Sequence, residues 1–415
     1  MRISTMPADA APVRPQGGNG HALALLLVVV FINIAGFSLI LPLLPFYGQE
    51  FSASAVEVTM LFAAYSFGNV FGEIYWGRTS DRIGRKKVLA VTMACAALSY
   101  VAFAYAPTLY AAFAIRIVSG FFSGTLGVVQ SYIADITAPQ DRARSIGYFG
   151  ASFNLGFATG PAIGGLLAQP DQGLAGFHLP ILAAAAFAGA AALWSIFALK
   201  ETRQPGGPAR PLPSYGEAMR FVVTQPLLLR LFILGFIAIA AFSSMEAVFG
   251  LWTEHNFGWS ARQVGLAFIA VGAAGLFVQA LLIGPLVKRF GEARIIVAGI
   301  VTLIVSMVLQ PLTRDPVAAV VLMSLLMAGH SLTFPNIGAL TSRNTPPDTQ
   351  GSVLGAQMAV NALARIVAPP FFGFVYLAAS PDAPYLLCAL MMVGGLLVAL
   401  QLRKITRRAD DVVST

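Results

Sequence analysis

Apolar positions in this chain fall into long, nearly uninterrupted runs separated by short polar stretches. Twelve runs are long enough to cross a bilayer as helices, at roughly 22–46, 57–77, 88–106, 109–132, 145–168, 178–199, 228–252, 262–286, 293–312, 316–340, 350–377 and 384–402. The run from Ala22 to Leu44 exceeds the apolar core of a signal peptide and reads as a retained first helix. One polar connection is long. It runs from Lys200 to Gln225, clusters Pro and Gly at Pro205–Pro213, and separates six spans from six. Residues Tyr215 to Val223 within it are expected as a short amphipathic helix on the membrane surface. The predicted organisation is a tail over 1–21, a six-helix half over 22–199, a linker over 200–227, a second half over 228–402 and a tail over 403–415.

Composition agrees with this reading. Hydrophobic residues make up 57% of the 415, charged residues 11%, and mean hydropathy is +0.76, whereas a soluble globule carries about 25% charged residues. The expected class is therefore an all-α polytopic membrane protein with twelve transmembrane helices in two pseudo-symmetric halves. Of the 26 Lys and Arg, 22 lie in the tails and in loops after even-numbered spans, and only Arg262 and Arg314 lie on the other face. The positive-inside rule then places both termini in the cytoplasm, with the chain in a plasma membrane, for a bacterium the inner membrane. The net charge of +8 is this topological signal and does not form a nucleic-acid surface. Cys95 and Cys388 stand alone in separate spans, which excludes a disulfide framework or thiolate metal site. No nucleophile motif, metal cluster or nucleotide loop suggests an enzyme or a cofactor. The partners expected are the bilayer, a small-molecule substrate and protons, with the chain acting as a monomer.

The two halves share a plan. The sequence GPLVKRFGEARII after span 8 aligns with GRTSDRIGRKKVL after span 2, pairing Gly77 with Gly284 and Gly84 with Gly291. GFATGPAIGG in span 5 likewise aligns with ARIVAPPFFG in span 11, pairing Pro161 with Pro369. Such parallel repeats place a substrate site near the bilayer midplane between the halves.

The segment Gly77 to Leu89 packs five basic residues and one acid between two spans and is expected to form a tight loop at the membrane surface. It resembles the loop between helices 2 and 3 of the major facilitator superfamily, through Gly77, Asp81, Arg82, Gly84, Arg85, Lys86 and Leu89. The resemblance implies a gating role for Gly77, Asp81, Arg82 and Arg85, with Asp81 at the N-terminus of helix 11 and Asp135 paired with Arg82 or Arg85. Arg116, Gly120 and Gly124 resemble the family's helix 4 pattern, which implies that Arg116 takes part in proton coupling. Gly156, Gly160, Pro161, Gly164 and Gly165 match the helix 5 element shown chiefly by antiporters. Gly36, Pro42 and Pro45 resemble helix 1 of drug/proton antiporters, and TEHNFGWS, from Thr253 to Ser260, resembles tetracycline-type exporters. Those exporters generally carry an aspartate where this chain has Asn33, an amide that cannot titrate.

Ionisable and polar residues inside the spans supply the remaining candidates. Glu73 shares a stripe of helix 2 with Ser66 and Asn69, either as a buried proton carrier or as a carboxylate reaching the headgroups. Gly68 and Gly72 form a second stripe suited to close helix approach. Arg116 needs a partner or a water-filled cavity, or it snorkels outward. Glu246 and Arg365 lie at similar depth and can form an ion pair, structural or substrate-binding. Gln279, His330 and Asn336 either line the cavity or bond between helices.

These readings, with the resemblance, point to a secondary active transporter exporting small amphipathic organic compounds by proton antiport. Glu73 and Glu246 are the proton candidates and Arg116 their electrostatic partner. The rival reading is a carrier of an amphipathic organic anion or lipid without obligatory proton coupling.

Overall fold

The computed structural model describes residues 19–138, 141–202, 215–346 and 349–413, and every regular element among them is helical. The first half holds α1 (Asn19–Leu39), α2 (Leu44–Gln49), α3 (Ala55–Ile83), α4 (Arg85–Ala104), α5 (Leu109–Ser123), α6 (Leu126–Ile136), α7 (Arg142–Leu167) and α8 (His178–Ala198). After α9 (Tyr215–Thr224), the second half holds α10 (Pro226–Phe257), α11 (Ala261–Phe277), α12 (Ile283–Phe290), α13 (Glu292–Leu309), α14 (Pro316–Arg343), α15 (Gln350–Ala378) and α16 (Ala383–Val413). Ten units among the described residues are long and apolar enough to cross a membrane, some of them joining two helices across a kink, as α1 and α2 do over Gly20–Gln49. Helices α3 and α7 have the length but fall short in apolarity. Ser66, Asn69 and Glu73 dilute α3, and polar residues such as Ser152, Asn154 and Thr159 dilute α7. Counting both, the described residues build the twelve spanning units expected.

Boundaries differ from expectation where charge meets glycine. No loop spans Gly77 to Leu89. Helix α3 continues through Ile83, α4 starts at Arg85, and Gly84 makes the turn alone with φ 108°. Gly291 does the same between α12 and α13 with φ 76°. These backbone angles strain any residue with a Cβ, so the repeated glycine in the sequence is a repeated conformation. Helix α9 matches the predicted short helix and buries Ala218 and Val222 against the bundle, where it packs on α10 and α15. Helix α16 runs to Val413, beyond the expected limit at residue 402. Most of the first tail (1–18) and of the linker (203–214) lies outside the described residues.

In the first half α1 packs on α7 and α8, α3 on α5, and α4 on α8; in the second, α10 packs on α15 and α16, and α13 on α14 and α16. The halves meet through α7 against α11 and α3 against α15. We call the end holding the Gly84 and Gly291 turns the basic end and the opposite one the far end. Several close approaches between the halves are at the far end. A Cβ on Gly165 of α7 would lie 2.6 Å from the Gly265 Cα of α11, and one on Gly373 of α15 would lie 2.8 Å from the Ala55 carbonyl of α3. Gln49 of α2 donates to the Glu254 carboxylate of α10 across the same seam. Cysteines at 49 and 254 are expected to crosslink on oxidation in the membrane and to stop transport until reduced. Free transport by the crosslinked protein would show that the far end need not open.

Candidate functional site

Helix packing in the first half sets the positions of two of the candidate groups. The expected helix over 109–132 is broken between α5 and α6 at Gly124 and Thr125. A break leaves carbonyls of one segment and amides of the next without partners, which is costly away from water. Helix α3 supplies both. Glu73 accepts from the Gly127 amide at 2.5 Å and the Leu126 amide at 3.3 Å, and Trp76 Nε1 donates to the Phe121 carbonyl at 2.9 Å. Glu73 therefore caps the N-terminus of α6, where the helix dipole favours negative charge. Glu73→Ala is expected to cost about 1–2 kcal/mol of stability, as a lost cap does, and to speed hydrogen exchange at the Leu126 and Gly127 amides. Unchanged exchange there would remove the capping role.

This contact depends on close crossing. Gly68 and Gly72 of α3 face the Ile117 and Phe121 backbone of α5, and Gly120 faces Tyr65. The expected close-packing stripe is thus the α3–α5 seam. Asn69 sits beside it, its backbone against Gly120 and Gly124.

Arg116, 1% exposed, does not meet a carboxylate within ion-pair distance among the described residues. Its Nε donates to the Leu61 carbonyl at 3.2 Å, its guanidinium lies 4.6 Å from the Tyr65 ring centroid, and Nη1 makes no hydrogen bond. Tyr65 and Tyr100 stand beside it. Cation–π contact and the Leu61 carbonyl hold the charge in place of an acid. It does not snorkel, since burial is nearly complete.

The second centre lies between the halves. Arg365 of α15 is exposed, although it is held among helices, and its charge acts on Glu246 of α10, on His330 of α14 and on Tyr65 across the seam. Glu246 Oε1 is buried without a hydrogen bond. The two charges face each other, yet no N–O distance falls within the 4.0 Å of an ion pair. Burying an acid without closing its ion pair is expensive and leaves a carboxylate available to another ligand. His330 is stacked between Phe242, at 4.1 Å, and Phe334, at 5.5 Å, with Nδ1 unbonded. Phe37 stacks on Tyr65 at 4.6 Å on the facing half. Polar groups flanked by aromatic rings are thus gathered here, the combination that sites for organic molecules use.

Asn33 is half-buried on α1. Gln279 lies in a π-helical turn, Val278–Leu282, between α11 and α12. Asn336 is 3% exposed and donates to the Leu332 carbonyl of its own helix at 2.7 Å. In the helix 5 element, Gly156, Gly160 and Gly164 face α1, and Gly165 faces α11. Pro161 is accommodated inside the continuous α7.

At the basic end Arg85, 3% exposed, organises a network. It pairs with Asp81 at 2.7 Å and Asp135 at 3.3 Å and donates to Ser80 at 2.6 Å, while its amide donates to Glu201 at 2.7 Å. Asp135 therefore takes Arg85 of the two partners considered, and Arg82 is exposed. Gly77 has open space where a Cβ would point. Sequence reasoning missed Tyr65, Tyr100, Trp76 and Gln49. Tyr65 was within reach of it, one residue before Ser66 on the polar stripe of helix 2.

A family model described as Major Facilitator Superfamily matches residues 26–282 and again 231–413. The chain is 31% identical over 373 residues to the class C tetracycline resistance protein of Escherichia coli, covering 87% of this chain and 91% of that one. It is 26% identical over 378 residues to multidrug resistance protein 2 of Bacillus subtilis, covering 90% and 92%. Among solved structures, a mutant of the nucleoside transporter NupG superposes with a TM-score of 0.77 at 16% identity, covering 92% of this chain and 99% of that one. The human organic anion transporter MFSD10 (TETRAN) superposes at 0.70 and 20% identity, covering 92% and 100%. Both solved structures are of transporters, and the family model matches more than half of the chain: the chain is a multi-pass membrane transporter of the Major Facilitator Superfamily.

Proposed function

We propose that this transporter exports small amphipathic organic compounds in exchange for protons, with the basic end in the cytoplasm. The observation that carries the reading is Glu246, a half-buried residue whose buried Oε1 has no hydrogen bond and whose carboxylate faces Arg365 without closing an ion pair, near the stacked rings of Phe242, His330 and Phe334. A proton and a substrate group compete for such an acid, and rocking of the halves about the α7–α11 and α3–α15 seams presents it to each side in turn. The names of the similar proteins, tetracycline and multidrug resistance, support export.

One observation favours a second reading. Arg116 and Arg365 give the spans two positive groups around Tyr65, which suits an amphipathic anion carried without protons. The test is internal pH in liposomes holding the purified protein under an imposed proton gradient, while cationic, neutral and anionic amphipathic compounds are added. Proton movement dependent on a compound supports antiport. Labelled compound crossing without proton movement selects the second reading.

A further inference from the structure

We propose that the outward face of α3 at the basic end is a binding site for an anionic phospholipid, its phosphate held by Arg78 and Arg82 and an acyl chain lying along Phe71, Ile74 and Tyr75. A groove of about 320 Å³ is lined there by Phe71, Ile74, Tyr75, Arg78, Thr79 and Arg82. Spacings of three, four and seven residues set these side chains on one stripe of the helix.

The stripe is split by chemistry along its length. Phe67, Phe71 and Tyr75 are 44%, 54% and 53% exposed, large apolar groups without a protein partner on their outer side. Tyr75 is fixed by ring contacts to Trp76 at 4.9 Å and Phe121 at 5.5 Å, so the wall is preformed. Arg78 and Arg82 follow, exposed, one turn apart and within the last turns before Gly84. The nearby acids Asp81 and Asp135 both pair with Arg85, and no described residue closes an ion pair with Arg78 or Arg82. From Phe67 to Arg82 the helix rises about 22 Å, the scale of one acyl chain beneath its headgroup.

Charge complementarity decides the occupant. Two guanidinium groups one turn apart match a phosphodiester, which accepts paired hydrogen bonds from Arg. The basic end faces the headgroups of one leaflet, where anionic lipid is attracted to Lys and Arg. Aromatic rings above the arginines supply the apolar partner that a free phosphate lacks. The site shares no residue with the Glu246–Arg365 centre and does not rest on the proposed export.

The test is native mass spectrometry of the full chain released from nanodiscs of mixed phosphatidylglycerol and phosphatidylethanolamine. The wild type is expected to retain phosphatidylglycerol preferentially. Arg78→Gln with Arg82→Gln should lower that retention about thirtyfold, on the order of a surface basic residue's worth for each charge removed. Lys288→Gln with Arg289→Gln on α12 removes equal charge from the same end and should leave retention unchanged. Phe71→Ala with Tyr75→Ala tests the apolar wall with both arginines present and should also reduce retention. Equal loss in the α3 and α12 pairs, full retention in the α3 pair, or no lipid preference in the wild type would overturn the proposal.

Discussion

Glu246→Gln is expected to reduce compound-dependent proton movement to the level of protein-free liposomes while the purified protein stays folded and monodisperse. The amide keeps the shape and one acceptor oxygen of the carboxylate but cannot bind and release a proton at working pH. Folding should survive, because the buried Oε1 of Glu246 makes no hydrogen bond that the variant could lose. Arg365→Gln should behave differently. It leaves the buried Oε1 of Glu246 facing no opposite charge, and the cost should stay below the about 3–5 kcal/mol of breaking a closed buried pair, because Arg365 is exposed and the pair is open. The double variant is expected to be more stable than Arg365→Gln alone, since no uncompensated charge remains. Thermal unfolding of the three purified proteins measures the coupling between the sites. Additive effects would mean that the two residues do not act on one another, and retained proton movement in Glu246→Gln would remove that residue from the mechanism.

Gly72→Val is expected to prevent assembly of the first half. A Cβ at residue 72 would lie 2.8 Å from the Phe121 carbonyl carbon of α5, and the obstacle is backbone, which cannot rotate aside. Overpacking of side chains costs about 1–3 kcal/mol. The cost here should exceed that range, because separating α3 from α5 also withdraws Glu73 and Trp76 from the break in helix 4. Expression and size-exclusion profile read the effect. Gly77→Ala is the control, with open space at its Cβ position and a helical environment in which Ala is favoured by about 1 kcal/mol. Its fold should be intact. If transport nonetheless fails, the open space at Gly77 closes during the cycle, as a gating role requires. Recovery of folded Gly72→Val would show that the seam is not close-packed in the membrane.

Much of this architecture follows from local pattern. Length and apolarity of a run decide that it spans a bilayer, and basic residues between runs decide its orientation, so the twelve spans and the two halves were legible without coordinates. Gly68 and Gly72 announced a close crossing, and the repeat from Gly84 to Gly291 announced a shared turn. The same pattern picked out Glu73, Arg116, Glu246 and Arg365, since charge inside a span is costly and needs a reason.

What each of those charges touches could not be read the same way. Glu73 offered two readings along its own helix, and the structure presents a third, because its partners belong to a broken helix brought alongside by glycines on both. Arg116 rests on Tyr65 and the Leu61 carbonyl of α3, 55 residues away along the chain from its hydrogen-bond partner, where an acid was expected. Asn336 turns back to its own helix, and Asp135 takes Arg85 while Arg82 faces outward. Hydropathy and periodicity act along one chain segment and are carried by the sequence. The partner of a buried polar group depends on crossing distance, on rotamer and on where a neighbouring helix breaks, and those are set only when the helices pack.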